Sequence, residues 1–64
     1  MYAKYVELRD SKGLTDADVS KATGIFPSTF SDWKANRSTP KIEKLIKIAD
    51  YFGITLDELV KGTS

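Results

Sequence analysis

The chain has 64 residues, 41% of them hydrophobic and 30% charged, with a net charge of +1 and neither cysteine nor histidine. That length has room for one domain, near the size at which a single core only just suffices, so disulfides and ordinary zinc sites are excluded and stability must come from packing. The balance is not strongly basic, so any affinity for a polyanion depends on where the ten Lys and Arg residues lie. No apolar run approaches the roughly 20 residues that span a bilayer, and Met1 to Glu7 lacks an apolar signal segment, which makes a cytoplasmic location the expectation. With no histidine or cysteine, and no base near Ser28 and Asp32, an enzyme is not expected, nor is a cofactor, a metal or a small-molecule substrate.

From Tyr2 to Lys12, Tyr5 and Leu8, with Val6 beside them, recur at helical spacing among charged residues, and Gly13 is placed to end the helix. Thr15 then opens a second helix over about Asp16 to Thr23: its hydroxyl accepts a backbone N–H three residues on, and Asp18 reaches back to it as a capping box. Val19 and Ala22 are the inward residues expected here, with Thr23 half-buried and Ser20 small enough for another helix to approach. Gly24 adopts a positive φ at little steric cost, as an abrupt turn between helices needs.

Pro27 fits the first position of a third helix and keeps Phe26 out of the α region, leaving Phe26 as a cap without a capping oxygen. This helix continues to about Ala35. Ile25, Phe30 and Trp33 form its buried stripe, while Pro27, Ser28, Ser31, Asp32 and Ala35 face away. A polar loop, Asn36 to Lys41, precedes a fourth helix, whose expected inward face is Ile42, Leu45, Ile48, Ala49 and Phe52. Lys44 and Lys47 lie on its other faces, and Gly53 ends it. Thr55 to Glu58 reads as a second capping box, after which Leu59 and Val60 complete a short fifth helix before Gly62. The expected fold is therefore all-α, a compact five-helix bundle. One domain spans 1–62, and residues 63–64 form a tail or the start of a linker.

Thr15 to Trp33, a capped helix, a glycine turn and a proline-opened helix, reads as a helix-turn-helix. The ordered combination Leu14-Thr15, Val19, Gly24-Ile25, Phe30, Trp33, Pro40, Leu45, Ile48-Ala49, Phe52-Gly53-Ile54 and Leu59 resembles the phage repressor and Cro-type helix-turn-helix family, also called the XRE family. The likeness covers roughly residues 5 to 62 and implies a lambda-repressor-like fold. It also implies a transcriptional regulator that binds operator half-sites in double-stranded DNA, usually as a dimer.

The same resemblance maps base-reading positions onto Pro27, Ser28 and Asp32, with Thr29 and Ser31 close by. Pro27 can touch a thymine methyl, Ser28 can donate or accept, and Asp32 can accept from a cytosine amino group. Asp32 has two alternatives: an ion pair with Lys34 or Arg37, or a negative determinant against unwanted sequences. Phosphate contacts are expected from Lys21, Lys34, Asn36, Arg37, Ser38 and Lys41, and secondarily from Thr15, whose first role is as a cap. A candidate homodimer surface is Thr55, Leu56 and Val60.

Three departures from the family pattern stand out. Asp16 occupies the position where a glutamine amide usually touches phosphate. Lys34 replaces a glutamate that would pair with Arg9, so Arg9 must find another carboxylate or stay solvated. Phe26 and Pro27 replace polar residues. The last of these, with Asp16 and the low net charge, motivates the alternative of a protein-interaction module that keeps the fold without DNA affinity.

Overall fold

A computed structural model describes residues 1–61. Its helices are α1 (Tyr2–Ser11), α2 (Asp16–Thr23), α3 (Pro27–Lys34), α4 (Ile42–Phe52) and α5 (Leu56–Lys61), and the architecture is all-α. The expected boundaries of α2 and α4 are met; Gly62 and the 63–64 tail lie outside the described residues.

None of these helices is long enough to be stable alone in water, so each depends on what it buries. α4 carries the widest stripe, Leu45, Ile48, Ala49 and Phe52, and packs against both α2 and α5. Tyr5, Val19, Ile25, Phe30, Trp33 and Leu59 complete the core. Within it the Tyr5 ring stacks on Phe30 at 5.1 Å and on Trp33 at 5.3 Å, and meets the edge of Phe52 at 6.1 Å. A single side chain of α1 thereby touches both buried aromatics of α3 and the last residue of α4.

Tyr5 is fully buried, yet its hydroxyl is not orphaned: it donates to Asp16 Oδ1 at 2.6 Å. Burial, followed by that hydrogen bond, holds the phenol well above its ordinary titration range, so it is a neutral donor wherever the fold persists. Arg9 donates to the same Asp16 oxygen at 3.0 Å and also pairs with Asp10, and the bond to Asp16 is the main reason its charged form is favoured. The carboxylate that Arg9 required is therefore Asp16, the residue standing where the family pattern has glutamine.

The helix ends are closed by backbone geometry. After α1, Gly13 N–H donates to Asp10 and Leu14 N–H to Arg9; after α4, Gly53 N–H donates to Asp50 and Ile54 N–H to Ala49. This paired pattern satisfies carbonyls that a helix end leaves unpartnered. The end of α3 repeats it without glycine: Asn36 N–H donates to Trp33, Arg37 N–H donates to Asp32, and Asn36 itself takes φ 59. Asparagine is one of the few L residues that enters this left-handed region readily.

Three expectations need correction. Ala22 is exposed rather than inward, because α2 turns Val19 to the core and leaves Ala22 facing solvent. Ile42 is 61% exposed, since the core-facing stripe of α4 begins one turn later, at Leu45. The second capping box is one-way: Glu58 N–H donates to Thr55 Oγ1 at 3.1 Å, without a return bond from the Glu58 side chain among the described residues.

Two stability measurements follow. Asn36→Gly should leave the urea midpoint unchanged or higher, whereas Asn36→Ala should destabilise by about 1 kcal/mol, because alanine pays the left-handed cost. Tyr5→Phe should lose about 1–3 kcal/mol in the same assay through removal of a hydrogen bond to a carboxylate, while the domain stays folded on its remaining ring contacts.

Candidate nucleic-acid interface

The geometry of α3 divides its eight residues. Phe30 and Trp33, three apart, go into the core, so helical periodicity carries Ser28, Ser31 and Asp32 onto the opposite ridge. Ser28 and Ser31 are exposed, Asp32 is half-exposed, and Thr29 lies half-buried on the flank. Pro27 stands at the first helical position after an extended Phe26, and no side chain caps that end.

What fixes this helix against α2 is the turn between them. Gly24 takes φ 77, and its N–H donates to the Ser20 carbonyl at 2.8 Å. The Ser20 hydroxyl donates to the carbonyl of Ile25, and Thr23 Oγ1 donates to Val19 while accepting from Ile25 N–H. Ser20, read from sequence only as a small residue, is therefore a clip across the turn. Its hydroxyl one helical turn before Gly24 was the available signal.

At the other end of α2 both halves of the capping box are present: Asp18 N–H donates to Thr15 Oγ1 at 3.2 Å, and Thr15 N–H donates to Asp18 Oδ2 at 2.9 Å. Thr15 is exposed, but its hydroxyl is occupied as a cap. Asp16 beside it is tied to Tyr5 and Arg9, so of the two carboxylates in the first turn of α2 one is paired with a cation and the other, Asp18, is held in the capping box.

Of the expected phosphate contacts, Lys21, Lys34, Asn36, Arg37, Ser38 and Lys41 are all exposed. Lys21, Lys34 and Lys41 form no ion pair among the described residues, whereas Arg37 does: its Nη2 lies 3.0 Å from Asp32 Oδ1. The structure thus brings Asp32, Arg37 and Ser38 together, since the Ser38 N–H also reaches the Asp32 carbonyl at 3.4 Å. At the α5 end, Thr55 is occupied as a cap, Leu56 is half-buried against the core and Val60 is exposed.

Phe26 was not among the expected site residues, yet it is 74% exposed at the entrance to α3. The proline that follows it was a partial signal, because it holds Phe26 in the extended region ahead of the helix and so outside the helical stripe of Phe30 and Trp33. No helix among the described residues is long and apolar enough to cross a membrane, and no group of three or more acidic, histidine or cysteine residues is arranged there to hold a metal.

Two short helices joined by a clipped glycine turn, the second offering a polar ridge away from its core stripe, define a helix-turn-helix domain. A family model described as helix-turn-helix matches residues 7–59. The chain belongs to this helix-turn-helix family, of the phage repressor and Cro type.

Among curated proteins, it is 36% identical over 56 residues to the HTH-type transcriptional regulator DdrOP3 of Deinococcus deserti, and 30% identical over 59 residues to the HTH-type transcriptional activator BcrR of Enterococcus faecalis. It is 28% identical over 61 residues to the cryptic phage CTXphi transcriptional repressor RstR of Vibrio cholerae. These alignments take in 88%, 92% and 95% of this chain, but only 43%, 29% and 55% of the respective relatives.

The capping box has a pH signature. Hydrogen bonds from the Thr15 backbone and then its side chain hold the Asp18 carboxyl below its ordinary 3.8. A lowered folded-state pKa stabilises fully above the ordinary value and is lost as pH falls from there through the lower one. The stability difference between the unaltered domain and Asp18→Ala, measured by urea unfolding across pH 2 to 7, should be constant down to about pH 5 and shrink below about pH 4.

Proposed function

We propose that this domain binds double-stranded DNA sequence-specifically as the DNA-addressing part of a transcriptional regulator, with α3 in the major groove. The observation that carries this reading is the outer ridge of α3: small polar side chains opposite Phe30 and Trp33, followed in the chain by the exposed cations Lys34, Arg37 and Lys41. A ridge without bulky groups lets helix backbone approach base edges, while flanking cations fix its register on phosphates.

Ser28, with Thr29 and Ser31, makes the adaptable hydrogen bonds. Asp32 accepts from a cytosine amino group, and Pro27, with Phe26 beside it, meets thymine methyls. Phosphates are met by Lys21, Lys34, Asn36, Arg37, Ser38 and Lys41, with Thr15 contributing at the start of α2. Two copies pair through the α5 end, with Val60 at the contact and Thr55 and Leu56 at its margin, so that their α3 helices lie about 34 Å apart, one turn of DNA. An activator and a repressor stand among the relatives. The domain is therefore read as supplying the address and not the sign of regulation.

A second reading, a protein-interaction module on the same fold, is favoured by one observation: the 74% exposure of Phe26 at the head of α3. Selection of binding sites from random duplexes separates the two. Enrichment of paired half-sites about 10 base pairs apart supports DNA addressing by a dimer. If about four cations each neutralise one phosphate, the log–log salt slope should be roughly −3.6 per domain. No enriched sequence from a folded sample would sink specific readout and leave the interaction module.

A further inference from the structure

Asp32 and Arg37 are five positions apart, which on a straight helix would put their side chains about 140° away from each other. They meet because the chain reverses at Asn36, whose φ of 59 brings the Arg37 N–H onto the Asp32 carbonyl at 2.8 Å. The guanidinium then engages the carboxylate on one oxygen only: Nε donates to Oδ1 at 3.0 Å, and Nη2 lies 3.0 Å from the same atom. Among the described residues, Asp32 Oδ2 and Arg37 Nη1 make no hydrogen bond, and the two side chains are 42% and 65% exposed.

An ion pair this open adds little to stability, so its value lies in what it presents. An unpaired carboxylate entering the groove meets the field of two phosphate backbones. Joined to Arg37, the same carboxylate enters with its charge cancelled and one oxygen still free to accept.

We propose that Asp32 and Arg37 act as one composite reader: Asp32 Oδ2 accepts from the exocyclic amino group of a base, while Arg37 cancels its charge and turns Nη1 to the adjacent phosphate. Arg37 thereby becomes a specificity-determining residue, although it touches no base itself. The proposal rests on the reading of the domain as a sequence-specific DNA binder, and it goes beyond that reading by making the two side chains inseparable. The guanidinium plane matters as well as its charge, because a lysine ammonium holds the carboxylate without fixing its orientation.

The test begins with duplexes selected by the unaltered domain. Fluorescence anisotropy then measures affinity for the selected site and for each single base-pair change, using the unaltered domain, Asp32→Ala, Arg37→Ala, Arg37→Lys and the double alanine variant. Urea unfolding of each confirms folding; neither side chain belongs to the core. Arg37→Ala should lose about tenfold discrimination at the same base pair as Asp32→Ala, and the double variant should discriminate no worse there than either single one. Arg37→Lys should keep most of the affinity but lose most of that discrimination. Asp32→Ala should bind random duplex more tightly, because it removes a carboxylate from the groove. The proposal is overturned if Arg37→Ala weakens every sequence equally with base preference intact, or if the two losses of discrimination simply add. Should the unaltered domain enrich no sequence at all, the DNA reading itself fails, a result distinguishable from both.

Discussion

The fold depends on how one tyrosine is buried. Tyr5 has no exposed surface, stacks on both buried aromatics of α3 and sends its hydroxyl out to Asp16 at the start of α2. A phenylalanine would supply the ring contacts without the tether, and a polar residue the tether without the contacts. The joint requirement ties α1 to the helix-turn-helix in two ways, through its core and through its surface. Arg9, one turn further along α1, closes onto the same carboxylate and lies over the Tyr5 ring at 5.8 Å. Three side chains thus set the angle at which α2 meets α1, and the clipped turn passes that angle to α3.

Charge follows the same economy. With a net charge of only +1, a uniformly basic surface is not available, so local pairing decides which cations remain free. Arg9 is absorbed by Asp16 and Asp10, and Arg37 by Asp32, whereas Lys21, Lys34 and Lys41 keep their charge toward solvent. With Lys34 standing where the family pattern has a glutamate, the cross-helix carboxylate for Arg9 comes from position 16. Asp10 pairs with Arg9 within α1, and Asp16 supplies the partner from across the helices.

Features encoded by neighbouring residues were readable without coordinates. The capping box of Thr15 and Asp18, the turn at Gly24 and the start at Pro27 each follow from chemistry within a few positions, and all three are present. The ridge of α3 was readable as the complement of an unmistakable Phe30 and Trp33 stripe. Phase was harder. Ile42 and Ala22 satisfy helical periodicity, but periodicity does not say where a neighbouring helix stops covering the stripe, and both lie outside that cover. Arg9 announced the need for a carboxylate without saying which one, because Asp16 meets it only through tertiary packing. The contact of Asp32 with Arg37 stood among three alternatives until the backbone reversal at Asn36 selected it; asparagine signals a loop more readily than a left-handed helix end.

The separation of duties within α3 has an evolutionary corollary. Its core stripe and its outer ridge share no residue, and the ridge side chains contribute little to holding the bundle together. Ser28 and Ser31 can change identity at almost no thermodynamic penalty, since exposed helix positions tolerate most residues. On the proposed DNA-reading role of α3, a lineage carrying this scaffold can drift across target sequences one substitution at a time while every intermediate remains folded. Asp32 is the exception: its carbonyl and carboxylate both grip the following loop. On that same proposed reading, new specificities should arise first at the two serines and only later, with a compensating change at position 37, at the aspartate.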